Sequence, residues 1–198
     1  MCPSEPESCE ESFVKVSGSD IYFHCGVDEQ TVLELNMKVR LLAKELVKKY
    51  TDLDLDFKPA IRIFIRSDGG DIFAGLSAMD CLRSLRCQVS ITTIADGVCA
   101  SAATFILLGG RRRQMTENSY VLIHQLNTDG FWGKFEEVKD EMKNLTMYMR
   151  RFRAIYDAET NLPEKKLKRL LKRDLYLDSR KCLKYQVVDS LFLGVVAQ

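Results

Sequence analysis

The stretch Val89–Gly110 reads VSITTIADGVCASAATFILLGG, and the rest of the chain is interpreted outward from it. Its first six residues are rich in β-branched side chains, which predicts a buried strand from Val89 to Ile94. The segment after Ser101 is small and apolar and closes on Gly109-Gly110, as a helix with a C-terminal glycine cap does. Ser101 is therefore predicted to lie where a strand turns sharply into a helix N-terminus.

Two roles are open for Ser101. A serine at a helix start is most often an N-cap, whose hydroxyl accepts a hydrogen bond from a backbone N–H. Unpaired N–H groups and the positive end of the helix dipole also point outward there, which suits a nucleophile. In that role Ser101 attacks a carbonyl while the N–H of Ala102 holds the oxyanion.

The composition limits the class of protein. The 198 residues are 46% hydrophobic and 29% charged, which is typical of a globular domain, and the net charge of +1 argues against bulk attraction to nucleic acid or to anionic membrane. The apolar runs are short and the N-terminus has no apolar core of a signal peptide, so we expect a cytoplasmic or organellar-matrix protein. The seven cysteines form no Cys-x-x-Cys pair and there are only two histidines, so we expect reduced thiols and neither a metal nor a cofactor.

The chain alternates predicted strands and helices. A strand at 60–65, a helix at 72–85, the strand at 89–94, the Ser101 helix and a strand at 120–124 predict a parallel sheet with right-handed crossovers. Function gathers at the carboxyl ends of such strands, where Gly69-Gly70, Ser101 and His124 fall. We further expect a strand at 21–25, an amphipathic helix from Asp28 to Lys49, and a solvated turn at Arg111–Arg113.

The downstream part is dominated by one long predicted helix, from about Lys134 to Glu159. Its apolar residues recur in steps of three and four, at Phe135, Val138, Met142, Leu145, Met149, Phe152 and Tyr156. These seven residues form a narrow apolar seam along the helix. Such a seam is typical either of a helix lying on its own domain or of a protruding helix that pairs with another subunit. A helix from Pro163 to Lys172, a short helix capped by Ser179 and a strand at 187–192 complete the chain. We expect an acidic flexible tail over 1–12 and one domain over 13–198, with a head at about 20–125 and 160–198 and a handle at about 126–160.

Four segments in this order resemble the ClpP endopeptidase family. Ile65–Gly70 (IRSDGG), Gly97–Ala103 (GVCASAA) and Val121–Gln125 (VLIHQ) are similar to the family's N-S-P-G-G, G-x-A-A-S-M-G and V-M-I-H-Q-P motifs. Lys172–Ser179 (KRDLYLDS) is similar to its R-D-x-x-x-S segment. The resemblance covers about residues 60 to 192. It implies an α/β fold of repeated β-α-β units of the ClpP/crotonase type, with a protruding long handle helix.

The resemblance also implies the roles of individual residues. Ser101 would be the nucleophile, His124 the base and Asp174 the residue that orients the imidazole. The oxyanion donors would be the backbone N–H groups of Gly69 or Gly70 and of Ala102. Peptides would bind along a groove formed by Asp71, Ile72, Gln125, Leu126 and Trp132, although Trp132 could equally pack in a contact between rings.

The family's assembly implies partners. Its subunits form two stacked seven-membered rings that take unfolded polypeptides or small peptides, fed by an AAA+ unfoldase of the ClpX, ClpA or ClpC kind. Several features of this chain depart from the family. Asp68 and Leu126 stand where it usually has proline, Ala102 replaces a common methionine, residues 50–58 look like an insertion, and the acidic segment Met1–Glu11 does not resemble its axial loop.

Two other functions remain open at this point. The chain could be a catalytically silent subunit that scaffolds active paralogues, although such subunits usually lose triad residues. It could also be a crotonase-type acyl-CoA enzyme, which shares the strand–helix turns and a two-glycine oxyanion hole but relies on a carboxylate.

Overall fold

The computed structural model describes residues 12–128 and 130–194, and within these ranges six helices accompany an eight-stranded sheet. The expected tail over 1–12 falls, except for Ser12, outside the described residues. The strands are β1 Val14–Ser17, β2 Asp20–Phe23, β3 Ala60–Ser67, β4 Ser90–Ala100, β5 Arg112–Met115, β6 Tyr120–Leu122, β7 Tyr176–Leu177 and β8 Ser190–Leu191. The helices are α1 Glu29–Asp52, α2 Ile72–Ser84, α3 Ala103–Gly109, α4 Phe135–Glu159, α5 Glu164–Leu170 and α6 Ser179–Lys184.

The sheet has the order β1-β2-β3-β4-β5-β8, and β6 pairs with both β4 and β7. The pairs from β2 to β8 along this path, and the pair β4–β6, are parallel, whereas β1–β2 and β6–β7 are antiparallel. The α2 and α3 helices follow successive parallel strands, so the predicted β-α-β units and the α/β class are confirmed. The core includes Ile63, Leu82 and Ile106, which are fully buried.

β4 is the central strand, and it is longer than predicted. Its pairing with β3 passes from Ile65↔Ala95 to Ser67↔Cys99, so residues 96–98 of β4 form a bulge opposite one residue of β3. Gly97 allows the bulge through its φ of 87°, and its N–H donates to Ser119 Oγ at 2.7 Å. The predicted strand end at Ile94 is therefore wrong: β5 pairs with β4 before the bulge and β6 pairs with it afterwards.

Several other boundaries differ from the predictions because pairing, rather than local composition, decides them. The strand predicted at 21–25 ends at Phe23, the last residue of β2 paired with β3. The solvated turn predicted at Arg111–Arg113 is wrong, since residues 112–115 form β5 and Arg113 is ion-paired with Asp189 at 3.1 Å. The strand predicted at 120–124 ends at Leu122.

The ends of the helices differ in the same way. α1 continues to Asp52, three residues beyond the predicted end, and α5 covers only residues 164–170. The cap of α6 is Asp178 rather than Ser179, because the Asp178 carboxylate accepts from the N–H of Lys181 at 2.8 Å. The strand predicted at 187–192 is reduced to β8 at residues 190–191.

α4 projects from the rest of the chain, as the resemblance implies. Its buried residues are confined to the C-terminal part, at Phe152, Ile155 and Tyr156, whereas Phe135 and Met142 near its start are 73% and 59% exposed. Tyr156 anchors the base of the helix: its hydroxyl lies 2.5 Å from Thr104 Oγ1 in α3, and its ring stacks on Phe105. In the described part of the chain, none of the helices is both long enough and apolar enough to span a bilayer.

Candidate active site

β4 ends directly before Ser101, whose backbone adopts an unusual conformation. Its φ of 53° lies in the left-handed region, which is rare for residues other than glycine and is characteristic of strained functional turns. The Ser101 carbonyl accepts from the N–H and hydroxyl of Thr104 at 3.0 and 2.6 Å. The interpretation of Ser101 as an N-cap is wrong, because Ala102 is the cap residue of α3 and no side chain caps that helix.

Gly69 and Gly70 pack directly against the Ser101 turn. A Cβ at Gly69 would lie 2.5 Å from Ser101 Cβ and 2.8 Å from the Ala100 carbonyl oxygen, while one at Gly70 would overlap the Val27 carbonyl. Both glycines have positive φ, at 97° and 141°. Only glycine fits at either position, because a side chain would collide with the neighbouring backbone.

The amide groups around Ser101 differ in their availability. The Gly69 N–H donates to Ser67 Oγ at 3.2 Å, so it already has a partner. Val27 bridges to the same turn by donating to the Gly69 carbonyl and accepting from the Asp71 N–H, at 2.8 and 2.7 Å. Within the described residues, the N–H groups of Gly70 and Ala102 have no hydrogen-bond acceptor. Those two amides can therefore bind a ligand oxygen.

His124 and Asp174 are brought together by the antiparallel pairing of β6 with β7. Leu122 pairs with Tyr176, and His124 and Asp174 each lie two positions away from that pair. His124 Nδ1 lies 3.7 Å from Asp174 Oδ1, which is longer than a hydrogen bond, and the Asp174 side chain is 79% exposed. Hydrogen bonds of catalytic groups are often this long without substrate.

One surface depression, with a volume of about 550 Å³, lies at the Ser101 turn, and Gly69, Ala102 and Asp174 are not among the described residues that line it. Ser101 and His124 both line it, next to Gly70. Of the five residues predicted for the groove, Asp71, Ile72 and Leu126 line the depression, whereas Gln125 and Trp132 do not. Trp132 is 97% exposed. Asp68, Phe73 and Asn127 complete the lining.

Two of these lining residues were missed by the sequence reasoning. Phe73 is the second residue of α2, and its side chain is 57% exposed. Asn127 follows Leu126 in a loop and carries no motif. The placement of Phe73 between Ile72 and Ala74, directly after the glycine turn, was the one available signal.

The interior behind the serine is apolar and holds two thiols. Burial raises the pKa of the Cys99 thiol, two residues before Ser101, and raises that of Cys182 from 9.0 to about 12. The other histidine, His24, lies outside the depression, 3.5 Å from Asp96. Burial and the nearby Arg66 lower the pKa of His24. In the described ranges, no three His, Cys, Asp or Glu side chains are grouped closely enough to hold a metal ion.

Comparison with known proteins gives consistent results. The family model described as Clp protease matches residues 27–193. An ATP-dependent Clp protease proteolytic subunit from Ostreococcus tauri is 32% identical over 171 residues, which are 85% of this chain and 79% of that protein. The proteolytic subunit from Deinococcus radiodurans is 31% identical over 133 residues, 66% of this chain and 64% of that protein, slightly less than two thirds of its length.

The fold also matches a solved structure. A variant of ClpP1 from Listeria monocytogenes superposes with a TM-score of 0.74 and 18% identity, covering 89% of this chain and 92% of that one. The family model covers far more than half of the described residues, and it includes the serine turn, the glycine turn and the His124 loop. The chain belongs to the Clp protease family.

Proposed function

We propose that this chain is a serine endopeptidase in which Ser101, His124 and Asp174 form the catalytic triad. The observation that carries the proposal is that Ser101 and His124 line one depression, beside two N–H groups, those of Gly70 and Ala102, that have no acceptor among the described residues. A nucleophile, a base that titrates near neutral pH and a pair of oxyanion donors are the parts that acyl transfer requires.

The steps follow from these positions. His124 takes the hydroxyl proton as Ser101 Oγ attacks the peptide carbonyl, and the oxyanion binds to the amides of Gly70 and Ala102. His124 then gives that proton to the leaving amine, so that the C–N bond breaks and an ester to Ser101 remains. Water, deprotonated by His124, then attacks the ester, the bond from the acyl carbon to Ser101 Oγ breaks, and His124 returns the proton to Ser101 Oγ. Asp174 on the far imidazole nitrogen stabilises the imidazolium in both steps. Each oxyanion donor contributes about 10²–10³ in rate.

We propose Gly70, rather than Gly69, as the second oxyanion donor. The Gly69 N–H is engaged by Ser67, whereas the Gly70 N–H has no acceptor among the described residues. Gly69 instead serves the close approach to Ser101, since a Cβ there would collide with the serine.

We further propose that the chain works as an assembly of stacked rings with a AAA+ unfoldase. Two apolar surfaces support self-assembly, because large hydrophobic side chains on them are exposed to solvent. The first surface is the start of α4, where Phe135, Val138 and Met142 are 73, 41 and 59% exposed. The second is a stripe on α1, where Leu33, Met37 and Leu41 are 58, 63 and 59% exposed. The head and handle division is part of this proposal.

A direct experiment tests the endopeptidase proposal. The purified chain, its native mass established, is incubated with an internally quenched peptide library, beside a Ser101→Ala variant of equal native mass. We expect cleavage by the parent chain and a loss of at least about 10³-fold in the variant. Equal cleavage by both proteins would contradict the proposal.

A second candidate is a silent subunit that scaffolds active paralogues. The observation that favours it is the loose contact between His124 and Asp174, at 3.7 Å with Asp174 79% exposed. A homo-oligomer that neither cleaves peptides nor reacts with a serine-directed probe, yet restores ring assembly to an active paralogue, would support this candidate.

A further inference from the structure

The glycine turn beside Ser101 is bracketed by two carboxylates. Asp68 precedes Gly69 and Asp71 follows Gly70, both are exposed, and both line the depression that holds Ser101 and His124. One oxygen of Asp71 accepts from the Ala74 N–H at 2.6 Å as the cap of α2. Its other oxygen, and both oxygens of Asp68, have no partner among the described residues. Among the described residues, no lysine or arginine lines the depression.

The wall next to these carboxylates is apolar and held in place. Ile72, Phe73 and Leu126 line it. The Phe73 ring meets Tyr148 of α4 edge to face at 5.2 Å, and the Leu126 N–H points at Met149 Sδ at 3.3 Å. An apolar wall ending at a free carboxylate fits a side chain with an alkyl stem and a cationic head.

A neighbouring cavity also has acidic and apolar side chains in its lining. Asp71 and Phe73 also line a cavity of about 510 Å³ between α1 and α2, together with Glu29 and Asn36. The Asn36 Oδ1 atom is buried and has no hydrogen-bond donor in the described part of the chain. A buried acceptor without a partner is costly, and it indicates that a donor belongs there. No lysine or arginine lines this cavity either.

We propose that the site selects peptides that carry a lysine or arginine side chain next to the scissile bond, with Asp68 and Asp71 as the residues that recognise the cation. This proposal rests on the proposed endopeptidase function. The carbonyl of the scissile bond would sit at the Gly70 amide, so side chains on either side of that bond reach the carboxylates directly before and after the turn. The alkyl stem packs against Ile72 and Phe73.

Electrostatics at the oxyanion supports the same preference. A free carboxylate near the developing negative charge of the oxyanion raises the barrier for acylation. A substrate cation between them offsets that repulsion, so a basic side chain should improve both binding and the chemical step. Peptides with an acidic residue at this position should be the poorest substrates.

The test compares peptides that differ only in charge. One fluorogenic peptide carries arginine next to the scissile bond, and its partners carry citrulline, the neutral isostere, or glutamate. We expect kcat/KM to be about fivefold higher for arginine than for citrulline at low salt, with the ratio falling as ionic strength rises. Asp68→Asn and Asp71→Asn should each lower the ratio, and the double variant should bring it close to one. Asparagine at 71 still caps α2, which keeps the turn intact.

Asp80→Asn is the matched control, because Asp80 is an exposed residue of α2 that lines neither depression. It should leave the arginine-to-citrulline ratio unchanged. The proposed selectivity is wrong if the parent chain has equal kcat/KM for the arginine and citrulline peptides. It is also wrong if the double variant leaves the arginine-to-citrulline ratio of kcat/KM unchanged. Neither result contradicts the endopeptidase function.

A binding arm separates the two proposals. Equilibrium binding of the same peptides to Ser101→Ala, measured by fluorescence anisotropy, does not depend on hydrolysis. If the parent chain cleaves none of the peptides, the endopeptidase function is wrong, and the binding measurement alone decides whether the site recognises a basic side chain. Recognition of the cation is supported if Ser101→Ala binds the arginine peptide more tightly than the citrulline peptide and this difference is lost when Asp68→Asn and Asp71→Asn are added. Equal binding of the arginine and citrulline peptides to Ser101→Ala overturns it.

Discussion

The backbone N–H of Ser101 donates a 2.9 Å hydrogen bond to the carbonyl oxygen of Leu122. This bond extends the β4–β6 ladder one step beyond its last pair, Ala100↔Leu122, and His124 lies two residues farther along. The spacing of the serine and the histidine is thus set by main-chain pairing rather than by a side-chain contact. Substituting either side chain should therefore change the chemistry without moving the other residue.

Gly69→Ala should be far more damaging than Gly130→Ala. The two glycines share nearly the same φ, 97° and 96°, but a Cβ at Gly130 meets nothing within 4 Å. Gly130→Ala should therefore cost only the ~1–2 kcal/mol of left-handed strain. Gly69→Ala adds a collision with Ser101 and Ala100, and we expect a further ~1–3 kcal/mol together with loss of peptidase activity.

Denaturant unfolding of both variants measures this difference. Equal free energies of unfolding for Gly69→Ala and Gly130→Ala would contradict the close approach of the glycine turn to the serine.

Asp174→Asn should lower kcat strongly, because an amide no longer stabilises the imidazolium of His124. We expect a loss of about 10²-fold or more in steady-state peptide cleavage. Asp178→Asn is the matched control: Asp178 caps α6, a role that asparagine fills, and it should retain the parent rate. If both variants were equally active, the proposed role of Asp174 would be wrong.

The free energy of unfolding should fall as the pH rises from about 9 toward 12. Burial raises the pKa of Cys182 from 9.0 to about 12, so its thiol stays neutral in the folded chain while it ionises in the unfolded chain. In the unfolded chain the Cys182 thiol therefore loses its proton at a lower pH than in the folded chain. Above about pH 9 this ionisation stabilises the unfolded state relative to the folded state. Cys182→Ala should make this pH dependence less steep, as followed by chemical unfolding at a series of pH values, while the buried Cys99 thiol keeps its own contribution.

Cys87→Ala serves as the control for that measurement, since Cys87 is exposed in the folded chain. A slope that Cys182→Ala leaves as steep as in the parent chain would show that the Cys182 thiol is not buried as described.

Met142→Glu should weaken self-assembly without unfolding the chain. Met142 is 59% exposed on the seam of α4, and a charge there disfavours burial against another subunit. Asn144→Glu adds the same charge to an exposed position off the seam. Native mass spectrometry should show smaller species for Met142→Glu alone. Identical mass distributions for Met142→Glu and Asn144→Glu would show that the apolar seam of α4 is not part of an interface between subunits.

The elements that could be predicted from sequence are those with a strong apolar pattern of their own. β3, α2 and the first half of β4 have long buried runs, and α4 has a sustained seam. β1 and β5 were not predicted, because VKVS is only four residues long and RRQM contains a single apolar residue. Both become strands by pairing with β2 and β4. Local propensity is overridden by tertiary contacts in such strands.

The candidate site could be assigned residue by residue from the four motifs, but its geometry could not. The left-handed Ser101, the bulge at 96–98 and the engagement of the Gly69 amide by Ser67 all depend on contacts between segments far apart in the chain. Trp132 does not line the depression and is 97% exposed. Its two predicted roles, in the peptide groove or in a contact between rings, stay predictions.

The most direct test of the central claim is to locate the adduct of a fluorophosphonate probe by peptide mapping. We expect one modified residue, Ser101, with modification reduced at least about 10²-fold in His124→Ala, because the base that activates the hydroxyl is missing. Modification of a different residue, or of Ser101 at the same rate in His124→Ala, would contradict it.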